Sequence, residues 1–390
     1  MSKYNFDQLI VRHGSKAMKT DCLEERFGRG DLMPMWIADM DFPVCPDIVK
    51  ALQKRFEHPI YGYSCPSPNY WESIINWLDK RYNFKVSREE LTYMPGVVKG
   101  IAFVINYFTQ RGDKIIIQPP VYHPFKMVIE GNQRITLNNP LREKNGSYEM
   151  DFDHLEKIMR TEHPAMMILC NPHNPGGIQW SIDTLRQVAA LCHKYNVKVI
   201  SDEIHGDLML YGNTHYSFAT VSKEAEAVSI TLGAPSKTFN IPGLVSSWIV
   251  IKNPELREPF YNWLESNEFN ESTFVATIAT EAAYTAGAEW LSEALSYVEQ
   301  NIDATIEFCA THMPQIKPMR PQASFLVWLD CRELGLSQAQ LVDLFVNKAK
   351  LALNDGTMFG IEGTGFMRLN VACPRSVVMK ALTQIAEAIK

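Results

Sequence analysis

Short apolar, β-branched runs recur through the middle of the chain: "DKIIIQPP" at 113–120, "AMMILCNP" at 165–172, "VKVISDE" at 197–203, "AVSITLG" at 227–233 and "SSWIVI" at 246–251. Unbroken hydrophobicity over such a length is the pattern of a strand covered on both faces. Between the runs lie amphipathic stretches. In "SIDTLRQVAALCHKYN" (181–196), Ile182, Leu185, Val188, Ala189 and Cys192 share one helical face and Ser181 stands where a cap belongs. Strand and helix in alternation predict an α/β unit with a mostly parallel sheet.

The last hundred residues change character. A long helical stretch, "AEWLSEALSYVEQNIDATIEFCATHM" (288–313), precedes two runs of alternating polarity, "ASFLVWLDC" (323–331) and "GFMRLNVAC" (365–373), which predict two strands of a smaller α+β unit. The irregular "MPMWIADMDFP" (33–43) is assigned to that unit, giving a large domain over 46–284 and a small one from 1–45 with 285–390.

Composition narrows the classes. Over 390 residues, 46% hydrophobic and 21% charged describe a globular chain, and a net charge of −6 with no basic stripe argues against nucleic acid. Eight cysteines without a C-x-x-C pair suggest neither a zinc cage nor a disulfide framework. "MSKYNFDQLIVRHGSK" has no apolar core of leader length and no run approaches a membrane span, so a cytoplasmic protein with no membrane partner is expected.

In an open α/β sheet, ligands collect at the carboxyl ends of the strands. Three strand-like runs are followed by "NPHNPGG" (171–177), "SDEIHGD" (201–207) and "APSK" (234–237), with 28 residues from Asn174 to Asp202 and 35 from Asp202 to Lys237, about one β-α-β unit each. Singly, each has a plainer explanation: turn chemistry for the first, a helix cap for Asp202, a surface lysine for Lys237. Asp202, Glu203 and His205 lack the histidine spacing of a zinc helix, so no metal is expected. Together, an amide, an acid and an amine in one cleft match the needs of pyridoxal 5′-phosphate. The amine condenses with its aldehyde, the acid holds the ring nitrogen protonated and the amide donates to the phenolic oxygen. Burial would keep the Lys237 amine nucleophilic near neutral pH.

These residues, with "MWIADMDFP" and "APSKTFNIPGL", resemble the fold-type I pyridoxal-phosphate enzymes of aminotransferase class I/II, and within them the MalY/PatB branch of cystathionine β-lyases and cysteine-S-conjugate β-lyases. The resemblance implies a large domain with a mostly parallel sheet of the seven-stranded type beside a smaller α+β domain. It implies that Lys237 carries the cofactor, Asp202 and Asn174 hold its ring, and Tyr122 in "PPVYHPF" stacks on it. Free N–H groups of Gly96, Val97 and Val98 in "PGVVKG" would cradle its phosphate, with Ser236 adding a hydroxyl. Arg368, an arginine on an apolar strand, would bind the substrate carboxylate with the N–H of Ala38; a structural ion pair is its rival. Tyr61 or Tyr63 of "YGY" would enter the partner subunit's site in a homodimer. Three positions depart from the wider aminotransferase pattern: Ala234 for a serine, Val245 for an arginine and His205 for a tyrosine. The implied reaction is β-elimination at the carbon–sulfur bond of L-cystathionine or another L-cysteine S-conjugate, giving a thiol, pyruvate and ammonia. An aminotransferase of an L-amino acid and a regulator acting through protein binding are the alternatives.

Overall fold

A computed structural model describes residues 3–390; the first two residues of the N-terminal stretch lie outside the described residues. Seven strands form the main sheet: β1 (Leu91–Met94), β2 (Lys114–Ile117), β3 (Ile135–Asn138), β4 (Met166–Cys170), β5 (Lys198–Asp202), β6 (Ser229–Gly233) and β7 (Ser247–Val250). Their spatial order is β1-β7-β6-β5-β4-β2-β3. Only β7 runs antiparallel to its neighbours, and the pairs from β6 to β3 are all parallel.

Helices on both faces explain the unbroken apolar runs. Ile115 and Ile117 pack on one face with Val97, Ile101 and Val104 of α1 (Val97–Phe108). Ile116 points the other way, to Leu185 and Val188 of α2 (Ile182–Lys194). Each run therefore buries alternate side chains on opposite sides. The Ser181 side chain accepts from the Thr184 N–H at 3.1 Å, capping α2 as its position predicts. The five predicted runs are all present, and β1 and β3 are additional. β3 is an edge strand exposed at both ends, and β1 reads "LTYM", with Thr92 interrupting it, so neither carries a readable apolar run.

The C-terminal part contains α3 (Ala288–His312) and an antiparallel sheet of β8 (Lys317–Met319), β9 (Leu326–Asp330), β10 (Asn354–Asp355) and β11 (Phe366–Asn370), in the order β8-β9-β11-β10. Every residue of β11 is buried. Met367 and Leu369 enter the core on one side, while Arg368 and Asn370 on the other meet the 33–43 segment. That segment is tied in by parallel pairing of Met33–Pro34 with Leu351–Ala352. Among the described residues, no helix is long and apolar enough to cross a membrane.

Candidate active site

β4, β5 and β6 lie side by side, with Cys170 opposite Asp202 and Asp202 opposite Leu232, so the loops leaving their carboxyl ends open onto one place. A cavity of about 340 Å³ lies there, and Asn174, Asp202 and Lys237 all line it. Of the other expected residues, Ala38, Gly96, Val97, Val98, Tyr122, His205 and Ser236 line the same cavity, and Arg368, Tyr61 and Tyr63 do not.

Lys237 sits in the short helical turn Pro235–Thr238 that follows β6 directly. Its amine donates to the Ala38 carbonyl at 2.6 Å. The side chain is partly exposed rather than enclosed, because it opens onto the cavity. Burial still lowers its pKa to about 8, opposed mainly by the Asp39 carboxylate and assisted by Arg368. The next residue anchors the turn: the Thr238 hydroxyl donates to buried Asp207 at 2.9 Å, and Asp207 also accepts from the Trp77 indole at 2.9 Å.

Asp202 is buried, and one of its carboxylate oxygens accepts from the Ile204 N–H at 3.1 Å. Burial raises its pKa to about 7. Such a site destabilises a bare carboxylate and would be relieved by a cation against it. His205 is held neutral, its pKa lowered to about 3 by burial and by Lys237, and its Nδ1 is buried without a hydrogen-bond partner.

The N-terminus of α1 meets the cavity at Gly96, whose φ of +110° favours glycine. The Gly96 N–H is not free, contrary to expectation: it donates to the Ser247 hydroxyl at 2.9 Å, which passes its own proton to the Met94 carbonyl at 2.8 Å. The first-turn N–H groups without an intrahelical acceptor are therefore those of Val97, Val98 and Lys99, a geometry suited to an anion. Lys99 lines the cavity and went unnoticed in the sequence; it brings a cation to the end from which Ala234 and Val245 remove polar groups.

Arg368 stands one side chain behind the wall. It is 4% exposed and donates to the Asn174 side-chain oxygen at 3.0 Å, the Asn354 side-chain oxygen at 2.7 Å and the Trp36 carbonyl at 3.1 Å. All three acceptors are neutral, its Nε has no partner, and no carboxylate lies within ion-pair distance among the described residues. Burial lowers its pKa to about 10, which leaves it charged at neutral pH. The rival structural ion pair is thus absent, and a buried cation without a counter-charge is costly until an anion arrives.

Two amides hold the 36–42 backbone, and neither was singled out from the sequence. Asn370 donates to the Ile37 and Asp39 carbonyls at 2.6 and 2.7 Å. Asn240 donates to the Met40 and Phe42 carbonyls at 2.9 and 3.0 Å and accepts from the Met40 N–H at 2.9 Å. The available signal was position: Asn370 follows Arg368 by two on one strand, hence on the same face. Behind them Arg12 bridges Asp39 and Asp41 at 2.7 and 2.6 Å, and buried Lys19 joins Asp41 at 2.8 Å.

Tyr61 and Tyr63 are not brought to this cavity. They are 57% and 111% exposed; Tyr61 stacks on Phe274 with ring centroids 5.9 Å apart.

The cavity fits a pyridoxal-phosphate-sized group: a depressed amine at one wall, an acid lacking a cation at another, a helix N-terminus for an anion, and an aromatic ring between. Comparison with known proteins agrees. Residues 31–385 match the family described as aminotransferase class I and II. The chain is 42% identical over 385 residues to cystathionine β-lyase PatB of Bacillus subtilis (strain 168), covering 99% of this chain and all of that one. Two solved structures are similar throughout: pyridoxal-phosphate-containing cystalysin from Treponema denticola, with a TM-score of 0.95, 31% identity and coverage of 99% and 98%, and the pyridoxal-phosphate-bound C–S lyase from Staphylococcus hominis, with a TM-score of 0.91, 32% identity and the same coverage.

Proposed function

The chain belongs to the aminotransferase class I and II family and uses pyridoxal 5′-phosphate, and from that premise we propose that it is a carbon–sulfur β-lyase acting on L-cystathionine or another L-cysteine S-conjugate. The observation that carries the reading is the depressed Lys237 amine in one cavity with Asp202, with a buried, counter-charge-free Arg368 behind Asn174. When bound, the cofactor supplies an aldehyde that condenses with amines and a cationic ring that withdraws electrons from the substrate, which acidifies the Cα–H and permits loss of a thiolate from Cβ.

Lys237 would hold the cofactor and serve as the Cα base; with a pKa of about 8, a fraction of roughly a tenth is unprotonated at pH 7. Asp202 would pair as a carboxylate with the ring nitrogen. Asn174 would donate to the phenolic oxygen, His205 would offer a neutral imidazole and Tyr122 an aromatic face. Val97, Val98 and Ser236 would hold the phosphate, with Gly96 shaping the turn and Lys99 as an added cation. Arg368 binds the α-carboxylate. A bidentate clamp there fixes the Cα–H direction toward Lys237.

The large domain of this reading spans 46–284 and the small one 1–45 with 285–390. The active unit is a cytoplasmic homodimer in which exposed Tyr61 or Tyr63 reaches the partner's site. Incubation of the purified protein with L-cystathionine tests the activity: pyruvate released without any keto acid supports the lyase, and strict dependence on a keto acid overturns it in favour of an aminotransferase.

A further inference from the structure

A second cavity, of about 470 Å³, lies against the first, with Tyr122 a wall of both. The buried guanidinium of Arg368 stands between them. It bonds Asn174 on the first side and lies 4.9 Å from the ring of Phe359, which lines the second. A substrate whose carboxylate is held at Arg368 therefore lies beside the second cavity, one side chain away from it.

That cavity carries charge of both signs. Lys126 and Glu362 line it, and the weak pairing of Lys126 with Glu130 at 3.8 Å leaves the ammonium available. Glu362 is partly buried and makes no ion pair or hydrogen bond among the described residues. Its position depends on Gly360: a Cβ there would stand 2.6 Å from the Glu362 Oε2 and 2.9 Å from the Pro119 Cβ, and φ is +124°. A glycine is needed for this carboxylate to lie where it does.

Resting on the lyase reading above, we infer that the second cavity is a subsite for the distal end of a thioether whose leaving thiol is itself an α-amino acid, Glu362 taking its ammonium and Lys126 its carboxylate. The chain is then a selector for doubly zwitterionic thioethers over simple S-alkyl cysteines. Both partners act on a part of the substrate remote from the reacting bond, so their loss acts on binding first.

The test pairs a binding readout with turnover. In the cofactor-loaded K237A protein, half-saturation is followed through cofactor absorption during titration with L-cystathionine or with S-ethyl-L-cysteine. Adding E362Q is expected to raise half-saturation for L-cystathionine about tenfold, as loss of one partly screened charge pair does, and to leave S-ethyl-L-cysteine within about twofold. K126A is expected to act the same way, more weakly. Equal shifts for both compounds, or none for either, overturn the subsite. In otherwise unaltered enzyme, pyruvate from both compounds with selectivity unchanged by E362Q overturns the subsite and keeps the lyase. No pyruvate from either overturns the lyase, and the titration still decides the subsite.

Discussion

Asn174, Asp202 and Lys237 reach the cavity from the ends of adjacent parallel strands, each held by what immediately precedes it in the chain. Ala38 reaches it, and Arg368 comes up behind Asn174, by a different route, from a segment without regular structure and a small antiparallel sheet; the segment's carbonyls are gripped by Asn370, Asn240 and Arg368. The first wall is rigid because strand pairing satisfies its backbone. The second is rigid only as long as a few side-chain amides satisfy backbone groups that have no ladder. In the proposed reaction, chemistry on the cofactor belongs to the first wall and substrate capture to the second.

Lys237→Ala probes the first wall most severely. Loss of the base and of the covalent anchor is expected to lower kcat by at least about 10³-fold in the pyruvate assay, with an unchanged far-ultraviolet dichroism spectrum. Arg368→Lys probes the second wall: losing the fork geometry is expected to lower kcat/KM by about 10²-fold, mostly through KM, because carboxylate capture rather than proton removal is impaired. A fall in kcat at constant KM would erase the division of labour between the walls. Asn370→Ala removes two buried hydrogen bonds from the 36–42 backbone. It is expected to cost about 2 kcal/mol in denaturant unfolding and to raise KM a few-fold.

An effect of similar size is expected on the pH dependence of the cofactor-free protein. Asp202 is raised by burial from 3.8 to about 7, so the folded state binds its proton more tightly than the unfolded state. Its contribution is complete below pH 4 and is lost as pH rises through about 7, by something on the order of 1–3 kcal/mol. Asp202→Asn should flatten that segment of the stability profile, measured by urea unfolding at pH 5 and pH 8. Saturation with cofactor should flatten it too, since a ring cation lowers the same pKa.

Much of the first wall was legible because its information is local. An apolar run followed by a polar loop puts Asn174, Asp202 and Lys237 at strand ends wherever the strands pair in parallel, and the resemblance of "NPHNPGG" and "APSKTFNIPGL" to known motifs assigns the chemistry. The Gly96 N–H was misassigned because its acceptor, Ser247, lies 151 positions away on a strand that only the sheet order brings alongside. What satisfies Arg368 and Asn370 on the buried strand Phe366–Asn370 was hidden for a related reason. Polar residues in alternation look the same whether water or another backbone satisfies them, and here the partners are Asn174, Asn354 and residues 36–39.

By itself, then, the order of residues determined the α/β character, the strand-end triad and the presence of an arginine where apolar side chains prevail, since periodicity and strand-to-loop transitions are properties of neighbouring residues. The tertiary structure alone decided that Arg368 meets no carboxylate, that Asn240 and Asn370 hold the opposite wall, and that Glu362 and Lys126 face a second cavity beyond Tyr122. Those facts depend on pairings between segments far apart in the chain, and a buried charge becomes informative only when everything packed around it is known.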